Sequence, residues 1–396
     1  MALLVVLDGV GDIRAHGKGT PLEEAKKPNL DGLAERGAVG MMSTLGRGLA
    51  PGSDTGHLAI LGYDWKKDYP GRGPLEALGV GMELKEGDVA FRANFATVSG
   101  NRIVDRRAGR IESKEAKEIA KEVERIRVEG VEVFFKHSTE HRGAVVLRGS
   151  GLSAKITDTD PHAIGEMRRC EPLEKTGEAK KTAEVVNKWT KKVMEILSKN
   201  EINKKRKLPA NAILLRGAGA YRKVERFEKK FGMKGACIAG GALYKGVAKY
   251  VGMDVIEVKG ASGDKNTDLE AKRRAVQSAL KKYDFVFLHI KATDSFSHDG
   301  NFEGKKQFIE KIDKEIGFDF ETDVIVVTGD HSTPWSLKRH TGHEVPIVFS
   351  GGLVRKDDGK KFDEYSGMKG GLGHIEGKNI VSMIKNYMGK NEIIGS

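Results

Sequence analysis

Three short apolar runs in this chain, LLVVLDG at 3–9, FVFLHIKATD at 285–294 and DVIVVTGD at 323–330, share one design and each contains an aspartate at or near its end. None alternates apolar with polar residues, and all are β-branched or aromatic in character. A run of this kind is a strand buried on both faces, which is the signature of a parallel strand covered by helices. AILLRGAG at 212–219 and VPIVFSG at 345–351 read as further strands of the same kind. Helical periodicity falls between the runs, placing Trp189, Val193 and Ile196 on one face, then Leu269, Val276 and Leu280, then Phe308, Ile312 and Ile316. ACIAGGALYKGVAKYVGMDVIEV adds a strand, helix and strand unit with glycines at its turns. The expected fold class is α/β, a doubly wound and mostly parallel sheet.

Residues 87–185 have a different texture. DVAFRANFATVSGNRIVDRR turns at Ser99-Gly100-Asn101, EVFFKHSTEHRGAVVLRG reads as a second hairpin, and SKEAKEIAKEVERIRVEG reads as a helix between them. Two hairpins and a helix make a small antiparallel α+β module. The expectation is therefore a discontinuous main domain, 1–86 and 186–396, with an inserted domain at 87–185. The Lys-rich stretch 174–192 reads as a return linker and helix.

Composition limits what such a chain can do. With 396 residues, 39% of them hydrophobic, it can bury one large core and a second, smaller one. The N-terminal apolar run stops at Asp8, too short for a signal peptide's core or a membrane span, so a cytoplasmic protein is expected. Cys170 and Cys237 are far apart without metal-type spacing and are expected as free thiols. A net charge of +12 raises the question of a nucleic-acid partner. The basic residues are interleaved with acids, as on a solvated or thermophile-type helix face, and no aromatics alternate with them to stack on bases. Neither a nucleic acid nor a membrane is expected; a small anionic substrate accounts for the same positive excess. The number of chains that associate is left open.

Ligands of open α/β sheets bind beyond the carboxyl ends of the strands, and the aspartates lie there. Asp8 ends the first run and Asp330 the third; Asp294 follows the 285–290 strand. DSFSH pairs Asp294 with His298, GDHST puts His331 after Asp330, and HTGHEVP adds His343 before the next strand. Mixed carboxylate and imidazole donors suit manganese, zinc or cobalt better than calcium. With Ser53 there are too many candidate ligands for one tetrahedral ion, so two are implied, a pair able to clamp the attacking and leaving oxygens of a phosphoryl group. Ser53, in APGSDTGHLAIL, sits where a helix begins. An N-cap is its default role, yet a hydroxyl there is also poised to bind a cation and attack a phosphate.

These residues resemble a known pattern. VVLDG, GSDTGH, DSFSHDG, TGDHSTP and HTGH are similar to the motifs of the alkaline phosphatase superfamily. LDGVGD, KPNLDGLAERG, GRGPLEALGVGMEL, FRANFATV and VDRRAGRI resemble more closely the archaeal type of cofactor-independent phosphoglycerate mutase. The resemblance implies an alkaline-phosphatase-like fold and interconversion of 3-phosphoglycerate and 2-phosphoglycerate through a phosphoserine, without 2,3-bisphosphoglycerate. It implies one divalent cation on Asp294, His298 and His343, and another on Asp8, Ser53, Asp330 and His331. Manganese is the expected ion, with zinc, cobalt or magnesium as alternatives. The inserted domain is then a cap that holds the glycerate carboxylate and excludes water, and Arg106, Arg107, Arg110, His137, His141, Arg142 and His162 are its candidate substrate contacts. Arg216 and Lys245 are further candidates, assigned to the main domain. Two rival readings stand beside this one: a related metal-dependent phosphotransferase or phosphatase, such as a homoserine phosphotransferase, and a basic binding module that has lost catalysis.

Overall fold

The computed structural model describes residues 1–391, 393 and 395, and its chain divides into two compact units, Met1–Tyr69 with Glu225–Ser396, and Pro70–Val224. In the first, eight strands lie in the order Asp254–Val255, Gly235–Ile238, Phe285–Ile290, Ala2–Leu7, Val324–Thr328, Val345–Ser350, Gly37–Ser43 and Gly373–Glu376. Ala2–Leu7 is the centre of the parallel part, with Val5 opposite Leu288 on one side and Val327 on the other. Its side chains are buried throughout, as the continuous apolar run requires. Leu3, Val5, Leu7, Leu288 and Val327 pack with Val276 and Leu280 of the Leu269–Leu280 helix and with Phe308, Ile312 and Ile316 of the Phe302–Ile316 helix. Shared register brings the three strands to one carboxyl edge, where Asp8, Lys291 and Asp330 emerge.

Val345–Ser350 departs from expectation, since it runs antiparallel to both Val324–Thr328 and Gly37–Ser43. Burial on both faces produces a continuous apolar run whatever the direction of the neighbours. Among the described residues no helix is long and apolar enough to cross a membrane.

The second unit is an antiparallel sheet built on the long strand Val89–Ser99, which pairs with Arg142–Arg148, Arg102–Asp105 and Ala212–Ala220. Both hairpins expected from sequence are present. The helix expected over 113–130 is shorter: Ser113–Ala120 is helical, a 3₁₀ turn follows, and Arg125–Val128 is a strand. RIRV alternates polar with apolar, and Glu129 and Gly130, both at positive φ, supply the two-residue turn into Val131–His137.

The unit is also wider than 87–185. The run at 212–219 is not a parallel strand of the main sheet but lies antiparallel to Val89–Ser99, with Ile213 and Leu215 in one core and Ala212 and Leu214 in another. This places Arg216 in the second unit rather than the main domain. The helix Arg72–Gly79 lies against the same strand, and a Cβ on Gly73 would come within 1.9 Å of the Ala90 carbonyl oxygen, so only glycine allows that approach. The helix Gly177–Leu197 belongs here too, through Trp189, Val193 and Leu197. Trp189 is 1% exposed and its Nε1 has no hydrogen-bond partner among the described residues. Trp189→Ala is expected to cost about 3–5 kcal/mol, read as a lowered urea midpoint; Trp189→Phe, which removes the unpaired N–H, should cost much less.

Candidate active site

Ser53 opens the helix Ser53–Ile60, but Gly52 is its N-cap and no side chain caps it. The expectation of a capping serine is corrected accordingly: Ser53 stands one residue inside the helix, which frees its hydroxyl. Ser53 is 8% exposed, and its Oγ lies 3.3 Å from His331 Nε2. His331 Nδ1 is 2.9 Å from Thr333 Oγ1, and that hydroxyl donates to Asp294 Oδ1 at 2.9 Å. Since the Thr333 proton is committed to the carboxylate, His331 must donate through Nδ1, leaving Nε2 bare. Around this nitrogen stand Asp330 Oδ2 at 3.2 Å and Asp8 Oδ1 at 3.6 Å.

Asp294 forms a second group with His298 and His340, at the heart of which Asp294 Oδ1 is 3.3 Å from His298 Nε2 and 3.5 Å from His340 Nε2. Both imidazoles follow the same rule as His331. His298 donates through Nδ1 to the Lys338 carbonyl at 2.9 Å, and His340 to the Pro51 carbonyl at 2.8 Å, so each turns a free Nε2 inward. A ring held by its far nitrogen with the near one free is how proteins orient metal-binding histidines.

Here the sequence reading needs correction. His343, expected as a ligand beside Asp294 and His298, is exposed and hydrogen-bonded to Thr341 Oγ1 at 2.9 Å; the residue brought to the group is His340, three positions earlier. Asp8, Ser53, Asp294, His298, Asp330 and His331 are brought together at this edge of the sheet.

Three residues at the site were not anticipated. His289 Nε2 is 2.9 Å from Asp8 Oδ2, and His57 lies 3.4 Å from Asp330 Oδ2 while donating through Nδ1 to the Ser53 carbonyl at 2.6 Å. Lys291 reaches both Asp8 and Asp294. His289 and Lys291 interrupt the apolar run FVFLHIK, a visible signal, but nothing in the sequence says which carboxylate each one meets. Glycine is required at position 9: its φ is +61°, and a Cβ there would stand 2.8 Å from Asp294 and from Thr333 Oγ1.

Electrostatics follow from burial. For Asp8, burial works to raise the pKa, but the Lys291 charge and the His289 hydrogen bond outweigh it and hold the carboxylate well below its ordinary range. Asp294 is likewise lowered: against burial, the close approach of His298 and His340 and then the Lys291 charge prevail. Asp330 is pushed well up, by burial first and then by the charge of Asp8. Burial takes His331 and His289 down to about 3, so both are neutral donors or acceptors at physiological pH. Asp8, Asp294 and Asp330 thus share a buried site with one ammonium, and Asp330 Oδ2 and His57 Nε2 have no hydrogen-bond partner among the described residues. Excess buried negative charge, neutral imidazoles and unpaired donor atoms fit a divalent cation of the manganese or zinc type.

In the second unit, Arg92, Asn94, Arg106, Arg107, His141, Arg142 and Arg216 line a cavity of about 110 Å³. Burial, then the charges of Arg142, Arg107 and Arg92, bring His141 down to about 4. Arg106 is held by a two-pronged pair with Asp160 at 3.0 and 2.8 Å, and Asn94 Oδ1 is buried without a partner. A small anion suits this concentration of positive charge. The cluster gathers Arg106, Arg107, His141, Arg142 and Arg216 from the expected contacts and adds Arg92 and Asn94, both from the strand Val89–Ser99. It leaves out Arg110, which is exposed, His137, whose Nε2 bonds the Glu140 carbonyl, and His162, exposed beside Asp158. Lys245 lies in the first unit and pairs with Glu257 at 2.5 Å.

A family model described as 2,3-bisphosphoglycerate-independent phosphoglycerate mutase matches residues 34–203. A protein of that name from Methanocaldococcus jannaschii is 49% identical over 406 residues, covering 100% of this chain and 98% of its own. Another, from Archaeoglobus fulgidus, is 50% identical over 396 residues, with 96% of each chain covered. Among solved structures, a protein of Pyrococcus horikoshii is 38% identical with a TM-score of 0.87, covering 100% of this chain and 99% of that one. A cofactor-independent phosphoglycerate mutase from Thermoplasma acidophilum is 36% identical with a TM-score of 0.70, covering 98% and 99%.

Proposed function

This chain belongs to the 2,3-bisphosphoglycerate-independent phosphoglycerate mutase family, and on that premise we propose that Ser53 carries the phosphoryl group between the two hydroxyls of glycerate. The enzyme is an isomerase that interconverts 3-phosphoglycerate and 2-phosphoglycerate. In the proposed course, Ser53 Oγ gives up its proton and attacks the phosphorus of 3-phosphoglycerate, the bond to the 3-oxygen breaks, and that oxygen takes up a proton, leaving glycerate and a phosphoserine. The 2-hydroxyl then gives up its proton and attacks the phosphoserine, the bond to Ser53 Oγ breaks, and Oγ regains a proton.

One observation carries this reading: a buried, uncapped serine hydroxyl lies 3.3 Å from a bare imidazole nitrogen, in a site rich in buried carboxylate. Asp294, His298 and His340 are assigned to one divalent cation, and Asp8, Ser53, Asp330 and His331 to a second. Bound there, such ions supply positive charge that lowers the pKa of the serine hydroxyl and neutralises the phosphoryl oxygens. Thr333, Lys338 and Pro51 orient the three imidazoles through their Nδ1 atoms, and His289 holds Asp8 from behind. The guanidinium cluster of the second unit is assigned to the anionic groups of the substrate, with Arg106 set in place by Asp160.

The test is direct. Protein stripped with a chelator and given 3-phosphoglycerate should form no 2-phosphoglycerate in an enolase-coupled assay, and manganese should restore turnover. Acid quenching of the restored reaction should yield a phosphorylated Ser53 peptide by mass spectrometry. Full activity in chelator would reject the role given to the cations. Release of free phosphate with no 2-phosphoglycerate would make the chain a phosphatase.

A further inference from the structure

Lys291 holds an unusual position for a cation. It follows the strand Phe285–Ile290, and its ammonium lies 2.9 Å from Asp8 Oδ1 and 2.5 Å from Asp294 Oδ2. Those carboxylates belong to the two different ligand groups assigned above, so one lysine straddles both. The remaining oxygens are taken by other donors: Asp8 Oδ2 meets His289 Nε2 at 2.9 Å, and Asp294 Oδ1 accepts from Thr333 Oγ1 at 2.9 Å. Asp8 Oδ1, under the ammonium, is therefore the oxygen of Asp8 left for a metal ion, while Asp294 turns Oδ1 toward His298 and His340 and gives Oδ2 to the ammonium. An ammonium and a divalent cation held on the same two carboxylates are like charges a few ångströms apart, and such charges repel strongly in a buried site. The Lys291 side chain is 23% exposed, while Asp8 and Asp294 beneath it are almost fully buried, and its Nζ stands 5.9 Å from the centre of the Tyr244 ring. It thus has an outward route that the carboxylates lack.

We propose that Lys291 is a built-in counter-cation that competes with the divalent ions for Asp8 and Asp294, and that metal loading requires its ammonium to leave these oxygens. The inference rests on the reading that Asp8 and Asp294 hold metal. It carries a sign that a purely structural lysine does not share. A lysine that merely braces the ligands loosens metal binding when removed; a competitor tightens it.

The experiment measures manganese binding to the whole chain, freed of metal, by electron paramagnetic resonance of free Mn²⁺ and by chelator competition. Lys291→Met is expected to bind manganese at least about tenfold more tightly than wild type, about 1.4 kcal/mol, and Lys291→Arg, which keeps the charge, should stay near wild type. Equal or weaker binding by a Lys291→Met protein with native circular dichroism overturns the proposal. A second measurement needs no variant: in wild-type protein, the ¹⁵Nζ resonance of Lys291 should shift as diamagnetic zinc is added. An unchanged resonance at saturating zinc also overturns it. If wild-type protein binds neither manganese nor zinc, the metal assignment itself falls, an outcome distinct from failure of the lysine's role.

Discussion

Ser53→Ala should lower phosphoglycerate mutase turnover by on the order of 10⁴-fold or more, the scale seen when a covalent nucleophile is removed, while leaving the folded state within about 1 kcal/mol of wild type. The two halves of this expectation come from different observations. Loss of activity follows from the position of the hydroxyl, 3.3 Å from His331 Nε2 and beside Asp8 and Asp330. Small loss of stability follows from Gly52 being the N-cap, so that no helix-capping bond disappears with the oxygen. The measurements are kcat in the enolase-coupled assay at saturating manganese and the urea midpoint of the same preparation. A variant that turns over normally would return Ser53 to a structural role. A variant that loses both activity and several kcal/mol of stability would leave the loss attributable to the fold, and the phosphorylated Ser53 peptide would then have to decide.

What could be read from sequence and what could not divides along physical lines. The strand-end aspartates were legible because a strand covered on both faces writes a continuous apolar run, and the first polar residue after it marks the edge where ligands bind. Strand direction was not legible, since Val345–Ser350 and the AILL that opens Ala212–Ala220 are as thoroughly covered as their parallel counterparts yet run antiparallel to their partners. The short helix Ser113–Ala120 was overextended because Lys and Glu favour helix while the alternation in RIRV is only one turn long. Arg92 and Asn94 were passed over for a similar reason: at positions two apart in a strand they look like an ordinary polar face, and only the fold puts them beside Arg106, Arg107 and His141.

The choice between His340 and His343 is the sharpest of these cases, because RHTGHE lies outside regular structure and no periodicity weights one imidazole over the other. The structure separates them by their hydrogen bonds. His340 Nδ1 is tied to the Pro51 carbonyl, two residues before Ser53, which points Nε2 at Asp294; His343 spends Nδ1 on the nearby Thr341 hydroxyl and is exposed. Two matched variants therefore have opposite expected outcomes. His340→Gln, chosen because the His340 ring stacks on His331 with centroids 3.6 Å apart and the glutamine keeps most of that volume, should lower manganese affinity and kcat/KM each by at least about 100-fold. His343→Gln should stay within about twofold of wild type in both, as expected of an exposed side chain whose bond, to Thr341, is local. Manganese content per chain after dialysis separates loss of a ligand from simple misfolding, since a misfolded His340 variant would lose all bound metal and a ligand variant would keep the ion assigned to Asp8, Asp330 and His331. Should His343→Gln be the variant that loses metal while His340→Gln keeps it, the ligand group around Asp294 would have to be rebuilt on the other imidazole, and the loop that carries both would have to adopt a different path in the loaded enzyme.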